Sequence, residues 1–464
     1  MLPSWYKRAE VGMRDPTMAA RSVLLLLLPL LIPASLRGQR TDIQTFFDLL
    51  AVDPEQEAIL ERAILDGWDD SYAAMLVELQ RFAQRRDRTR LFLLLERATG
   101  QPFGQDMDRW WDWIWATNPG IHPDYSMFKA RLYSAIDPSF RDYFDDGLPA
   151  NIRLDEVRWG GVVRDGIPPL DLPAFTDARG ARYLDDDNIV FGIAINGEER
   201  AYPKRIMAWH EMFKDTIGGE HFTGVYCTLC GSMILYRSTI DGEHYEIGTS
   251  GFLYRSNKLM YDHDTRSLWS TLTGGPVVGP LAERDIELEP LYVVTTTWGE
   301  WRRRHPGTKV LSIDTGYNRD YSEGAAYRDY FSTDELMFTV PELDTRLKNK
   351  DEVLALRFPE FPLEQLAIAV ELLAGRTVYH DSLGAVDFIV LTDQSGASRV
   401  YETRGRRFSR WDGQDGVRDE SGERWTLTEA ALTGPDQTSL RRLPSHRAFW
   451  FGWYAQYPDT RLIR

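Results

Sequence analysis

The 464-residue chain holds two cysteines, Cys227 and Cys230, with only Thr228 and Leu229 between them. A Cys-x-x-Cys spacing brings two sulfurs within reach of one metal ion or of each other. Gly231 follows directly and tolerates positive φ, so the amides of the loop can turn toward the sulfurs. Four of the eight histidines, His210, His221, His244 and His263, lie in the same stretch between Trp209 and Leu281.

Three chemistries stay open for this stretch. A metal site needs ligands beyond two thiolates. His210 is the first candidate, because it shares the inward face of a predicted helix with Ile206, Met207 and Phe213; Met260 and His221 stand behind it. Two thiolates with imidazole or thioether suit Cu(I) or Zn(II), so copper or zinc is the expected cofactor. A thiol–disulfide oxidoreductase is the second reading, with Cys227 as the more exposed attacking thiol and Cys230 as its partner. Redox CxxC motifs commonly open a helix, whereas Met233-Ile234-Leu235-Tyr236 reads as a strand. The third reading is a structural disulfide in a non-enzymatic interaction protein. Gly248-Thr249-Ser250-Gly251 lacks the lysine and the length of a phosphate loop, so no nucleotide cofactor is expected. Ser250 or Ser256 with His210 or His263 has no spacing that calls for a hydrolase.

The compartment bears on the choice. Arg21 precedes an apolar run from Val23 to Ile32, and Ala34 and Ser35 follow. The run is shorter than the roughly 20 apolar residues a membrane span needs, and Pro29 interrupts it. Residues 1–38 therefore read as a secretory signal peptide, with 1–17 a mis-called start ahead of Met18. An uncleaved N-terminal anchor is the alternative and the sole expected tie to a membrane. Either way the protein is expected in the periplasm or outside the cell, where disulfides form. The 54 Lys and Arg against 70 Asp and Glu leave a net charge of −16. That balance argues against a nucleic-acid partner and fits a role in solubility. The residues name no particular partner.

A chain this long needs two or three domains. Residues 41–150 carry helical periodicity: Asp53-Pro54 is an N-cap with proline at N1, and Ile59, Leu60, Ala63 and Ile64 follow at helical spacing. Trp110, Trp111, Trp113 and Trp115 crowd one helix and read as packing rather than as a ligand surface. From Pro173 the pattern turns to strands. Ile189–Ile195 and Glu198–Tyr202 flank the hairpin signal Asn196-Gly197. A helix from Lys204 to Phe213 follows, and then Phe222–Tyr226 and Met233–Thr239 as strands around the cysteine loop.

Ala201-Tyr202-Pro203, Trp209-His210-Glu211 and Tyr226-Cys227-Thr228-Leu229-Cys230-Gly231 occur in this order. Ser250–Asn257, Met260-Tyr261-Asp262, Leu268-Trp269-Ser270, Phe449-Trp450-Phe451 and Tyr457-Pro458-Asp459-Thr460 come after them. Together these motifs resemble the bacterial and archaeal family of domain of unknown function 3179 (DUF3179), from about Pro173 to the C-terminus. The resemblance implies a site at these motifs and no known activity. Thr228 departs from the proline that usually follows the first cysteine, which loosens the loop and keeps the spacing.

Trp298, Trp301, Pro306 and Thr308 recur as Trp450, Trp453, Pro458 and Thr460, each offset by 152 residues. Thr297 and Glu300 have capping-box spacing in the first copy. On the same reasoning Ala374-Gly375 is matched to Gly218-Gly219. The expected fold class is α+β: a helical N-terminal region, then two related β-rich modules at 173–314 and 353–464 by internal duplication. The second module has no cysteine.

Overall fold

Asn196 and Gly197 both take positive φ, 49° and 84°, which is the geometry a two-residue hairpin needs to match the twist of its strands. Ile189–Ile195 and Glu198–Pro203 pair antiparallel across that turn. Val294–Thr297 adds antiparallel to the first strand, and Lys309–Leu311 adds parallel to the second. The helix Trp298–Arg304 makes the crossover between the two additions. Thr297 caps that helix by accepting the Glu300 amide, as its spacing predicts.

The same arrangement recurs later in the chain. Glu352–Arg357 and Gln365–Ala369 pair antiparallel, His446–Phe449 adds to the first and Arg461–Ile463 adds parallel to the second. Here the helix Trp450–Gln456 makes the crossover. Trp301 Nε1 donates to Thr308 Oγ1 at 2.9 Å, and Trp453 Nε1 donates to Thr460 Oγ1 at 3.0 Å. Each half also holds a tryptophan on a strand-end aspartate: Trp269 on Asp262 and Trp425 on Asp419, both at 3.0 Å.

The computed structural model describes residues 41–464 apart from Val52 and Asp146. The export segment expected in 1–38 lies outside the described residues, among which no helix is long and apolar enough to cross a membrane. The chain divides after residue 146 into two units. The first is helical. Asp53 accepts the amides of Glu55 and Gln56 with Pro54 at the first helical position. Trp110, Trp111, Ile114 and Trp115 are buried on one helix, and Trp111 stacks on Trp115 at 5.6 Å. The second unit is β-rich, so the α+β class holds.

Within the second unit the two β-rich halves share one core, beside clusters that belong to the later half alone. One core joins Met212, Val225, Ile234, Met260 and Trp269 to Val353, Ala355, Ala448, Trp450 and Trp453. Small residues on the later strands admit the two large indoles.

Two expectations need correction. The helix from Lys204 ends at His210, not Phe213: Glu211 takes a left-handed cap with φ 56°. Met212–Ile217 is a strand that pairs with Glu220–Cys227. Phe213 leaves the helix to stack flat on Tyr202, with ring centroids 3.8 Å apart. Ala374-Gly375 closes the helix Val370–Ala374 and so takes the place of His210-Glu211. The turn in the place of Gly218-Gly219 is the one at Gly384, between Val378–Leu383 and Val386–Thr392.

Replacing Trp453 by Ala is expected to lower stability by about 3–5 kcal/mol, since a fully buried indole leaves a cavity and Thr460 loses its donor. Chemical denaturation measures it; a loss below about 1 kcal/mol would contradict the shared core.

Candidate dithiol site

Cys227 ends the strand Glu220–Cys227 and sits opposite Ser232, the first residue of Ser232–Arg237. The four loop residues between them close a tight connection. Gly231 carries φ 60°, and a Cβ there would meet the Phe449 ring at 2.9 Å, so both conformation and space require glycine. Cys227 is 1% exposed and Cys230 0%. Both are free thiols, 3.3 Å apart.

The neighbouring strand Asn257–Asp262 supplies the polar surround. It is entered through Arg255 and Ser256, two non-glycine residues at φ 48° and 62°. Arg255 is anchored by Nη1 donating to the Ala455 carbonyl at 2.8 Å. That turn delivers Asn257, whose Nδ2 donates to Cys230 Sγ at 3.2 Å. It also delivers the Lys258 amide, which donates to Cys227.

The two sulfurs do not hold protons equally. Burial pushes the Cys227 thiol up. Hydrogen bonds from the Cys230 thiol and from the Lys258 and Cys230 amides outweigh it and hold Cys227 below its ordinary value. Burial and the adjacent Cys227 push Cys230 well above its own. The first charge therefore falls on Cys227, and the proton stays on Cys230.

Glu211 closes the site from the helix side. Its left-handed backbone points the carboxylate inward, where it pairs with Lys258 Nζ. Thr228 Oγ1 donates to Glu211 Oε1 at 2.9 Å, and Tyr327 OH donates to the same oxygen at 3.0 Å. Tyr330 OH reaches the Leu229 carbonyl at 2.7 Å, so the connecting segment that carries both tyrosines lies over the cysteine loop. The later half contributes directly. The Phe449 amide donates to the Cys230 carbonyl at 2.7 Å. A Cβ on Gly452 would lie 2.9 Å from Cys230 Sγ.

The other expected ligands lie elsewhere. His210 is fully buried, with Nδ1 at 2.9 Å from the Pro168 carbonyl and Nε2 at 2.6 Å from Tyr321 OH. Both ring nitrogens are thus engaged, and burial lowers its proton affinity. His221 lines a surface cavity of about 300 Å³ and holds Thr216 Oγ1 at 3.1 Å. Met260 is buried in the shared core. Among the described residues no three His, Cys, Asp or Glu side chains group as a metal-holding set. The residues that do surround the sulfurs, Glu211, Asn257, Lys258, Tyr330 and Gly452, were not singled out from the sequence. Glu211 and Asn257 lie inside the quoted motifs, which was the available signal.

A β-rich unit built from two like-connected sheets, with a buried thiol pair on one of its hairpins, is the class this chain presents. The chain belongs to the family described as a protein of unknown function, DUF3179, whose profile matches residues 164–460. No curated protein and no solved structure matches it.

Replacing Gly452 by Ala should cost about 1–3 kcal/mol, because the new methyl has a sulfur in its place. Gly307, with nothing near its absent Cβ, should tolerate Ala within about 0.5 kcal/mol. Equal denaturation midpoints for the two variants would refute the tight contact.

Proposed function

We propose that this chain is an exported thiol–disulfide protein whose Cys227–Cys230 pair cycles between dithiol and disulfide. The carrying observation is geometric: two buried cysteines 3.3 Å apart on one tight connection, with Asn257 Nδ2 on the Cys230 sulfur and the Lys258 amide on Cys227. With a small disulfide RSSR as oxidant, the Cys227 thiolate attacks one sulfur, the RS–SR bond breaks and one thiolate leaves. Cys230 then loses its proton and attacks the Cys227 sulfur of the mixed disulfide. The second RS⁻ leaves and takes up a proton, so two cysteines are oxidised as RSSR is reduced to two thiols. Burial of both sulfurs restricts the reaction to small partners or to moments when the Tyr327–Tyr330 segment lifts.

The test is equilibration of the purified chain across thiol–disulfide buffers, followed by acid trapping, alkylation after unfolding and mass measurement. A single two-electron transition that vanishes in Cys227→Ser is expected. Cysteines that stay alkylatable at every poise would sink the reading.

One observation favours a second reading. The sulfurs accept N–H bonds from Asn257 and from two backbone amides, which is how metal-bound thiolates are held by their surroundings. Copper or zinc on Cys227 and Cys230 would then be the cofactor, with His210, His221 and Met260 as remote candidates that reach the sulfurs only by rearrangement. Metal bound one per chain, and lost in Cys227→Ser/Cys230→Ser, would support it.

Export rests on Arg21 and the Val23–Ile32 run. Mature chain recovered from the cytoplasm with that run intact would reject it. The two halves descend from one duplicated module, and the later one serves as scaffold. The matched strand orders and the paired Trp–Thr bonds support this. In the later half Thr392 faces Ser398 where Cys227 faces Ser232.

A further inference from the structure

Arg399 and Arg442 are each more than nine-tenths buried in the later half, and both reach Glu429. Three of their nitrogens have no hydrogen-bond partner: Arg399 Nη2, Arg442 Nε and Arg442 Nη2. Nε and Nη2 form one edge of a guanidinium, the fork that matches two oxygens of one acid group. Arg442 therefore holds a whole fork inside the protein without an acceptor, while its Nη1 serves Glu429 at 2.9 Å and Tyr401 OH at 3.2 Å. Two other arginines of the same chain show what fills this edge. Nε and Nη2 of Arg153 take the two oxygens of Asp155, and those of Arg255 take the two oxygens of Glu156.

The neighbouring carboxylates are already engaged. Glu429 Oε1 takes Arg399 Nε at 2.9 Å and faces His305 Nε2 at 3.4 Å, and its Oε2 takes Arg442 Nη1. Asp393 Oδ2 takes Arg399 Nη1 at 3.0 Å, and its Oδ1 accepts the Ser395 and Ala397 amides and the Ser395 hydroxyl. Aromatic rings lie on the cation instead. Arg442 Cζ is 5.0 Å from the ring centre of Tyr292 and 5.1 Å from that of Tyr401. Rings attract the charge but give the fork no oxygen. Tyr292 belongs to the earlier half and is half-buried, so the fork lies between the halves beneath a ring that still meets solvent. A charged donor pair taken out of water needs an acceptor. We infer that Arg442, with Arg399 beside it, is a binding site for a small oxyanion, a carboxylate, phosphate or sulfate whose two oxygens take Nε and Nη2. The site is separate from the dithiol. An anion bound there completes the ionic network where the two halves meet. It binds the folded chain alone and so raises stability as its concentration rises.

The test uses the full-length chain in a buffer free of oxyanions. Calorimetric titrations with sodium phosphate, sodium sulfate and sodium acetate are each run against sodium chloride at equal ionic strength. Saturable binding of one oxyanion per chain is expected, with no matching heat from chloride, and the tightest arm names the class. The thermal midpoint should rise with the same ions in the same order. Arg442→Lys keeps the positive charge and loses the fork, so it should weaken that binding on the order of tenfold or more. No saturable binding in any oxyanion arm, chloride binding equal to theirs, or unchanged affinity in Arg442→Lys overturns the site. Should Arg442→Lys fail to fold, crystals of the parent chain grown with the tightest ion decide. Density for that ion with two oxygens on Arg442 Nε and Nη2 supports the site, and a water in that place overturns it.

Discussion

The hydrogen bond from the Phe449 amide to the Cys230 carbonyl, at 2.7 Å, joins the end of one half to the cysteine loop of the other. Around it the two backbones come so close that only hydrogen fits at Gly231 and Gly452: one would strike the Phe449 ring and the other Cys230 itself. This approach explains the shared core. The strands of the later half bring alanines to the interface at Ala355, Ala367 and Ala448, and Trp450 and Trp453 fill the space beside them. The thiol site is therefore closed by packing from a part of the chain more than two hundred residues away. Neither half can shift without exposing apolar surface or opening the sulfurs.

Closure has an electrostatic consequence. Inside, an unpaired charge is costly, so Glu211 pairs with Lys258 and the phenols near the sulfurs stay neutral. Tyrosines 226 and 330 remain protonated. Asn257 spends a donor on Cys230, and Ser256 and Arg255 hold a strained turn so that two amide donors arrive at the right place. The site thus gives the two sulfurs different hydrogen-bond partners without exposing either to water.

Much of the scaffold was legible in the residues because local rules decided it. Asn196-Gly197 folds as a hairpin since both residues accept positive φ, and Asp53 and Thr297 cap helices through their own side chains. The 152-residue recurrence of tryptophans marks two helices that occupy like positions and make like bonds to threonine. The placement of the cysteine loop between strands followed from its β-branched and apolar flanks. What failed was decided by distant partners. The inward helical face of His210 makes it a candidate ligand for the sulfurs. Inward there means toward Tyr321, 111 residues later, and the Pro168 carbonyl. The helix was extended to Phe213 because Phe213 continues a helical spacing, but strand pairing with Val225 and Gly224 claims Met212 and Phe213. A left-handed glutamate carries no local signal, so nothing in the helical spacing places Glu211 beside the cysteine loop.

The contact is reciprocal, and its two sides differ in chemistry. As Gly452 on the later crossover helix meets Cys230, Arg304 and His305 at the end of the earlier one reach the later half. Arg304 lies 3.8 Å from Asp393 and His305 3.4 Å from Glu429. There Arg399 bridges Asp393 and Glu429 at 3.0 and 2.9 Å, and Arg442 holds Glu429 at 2.9 Å. Burial pushes the Glu429 carboxyl up. Arg399, with His305 and Arg442, overrides it and keeps the group well below the carboxylate range. One side of the unit therefore closes on sulfur and the other on a buried ionic network. Removing one partner of this buried network, which lies within the later half, would cost about 3–5 kcal/mol. The thiol side is covered by a connecting segment that holds it through single hydroxyl bonds from Tyr327 and Tyr330, each worth about 1 kcal/mol. The two sides thus differ in what holds them: hydroxyl bonds to the cysteine loop and to Glu211 on one, a buried ionic network on the other.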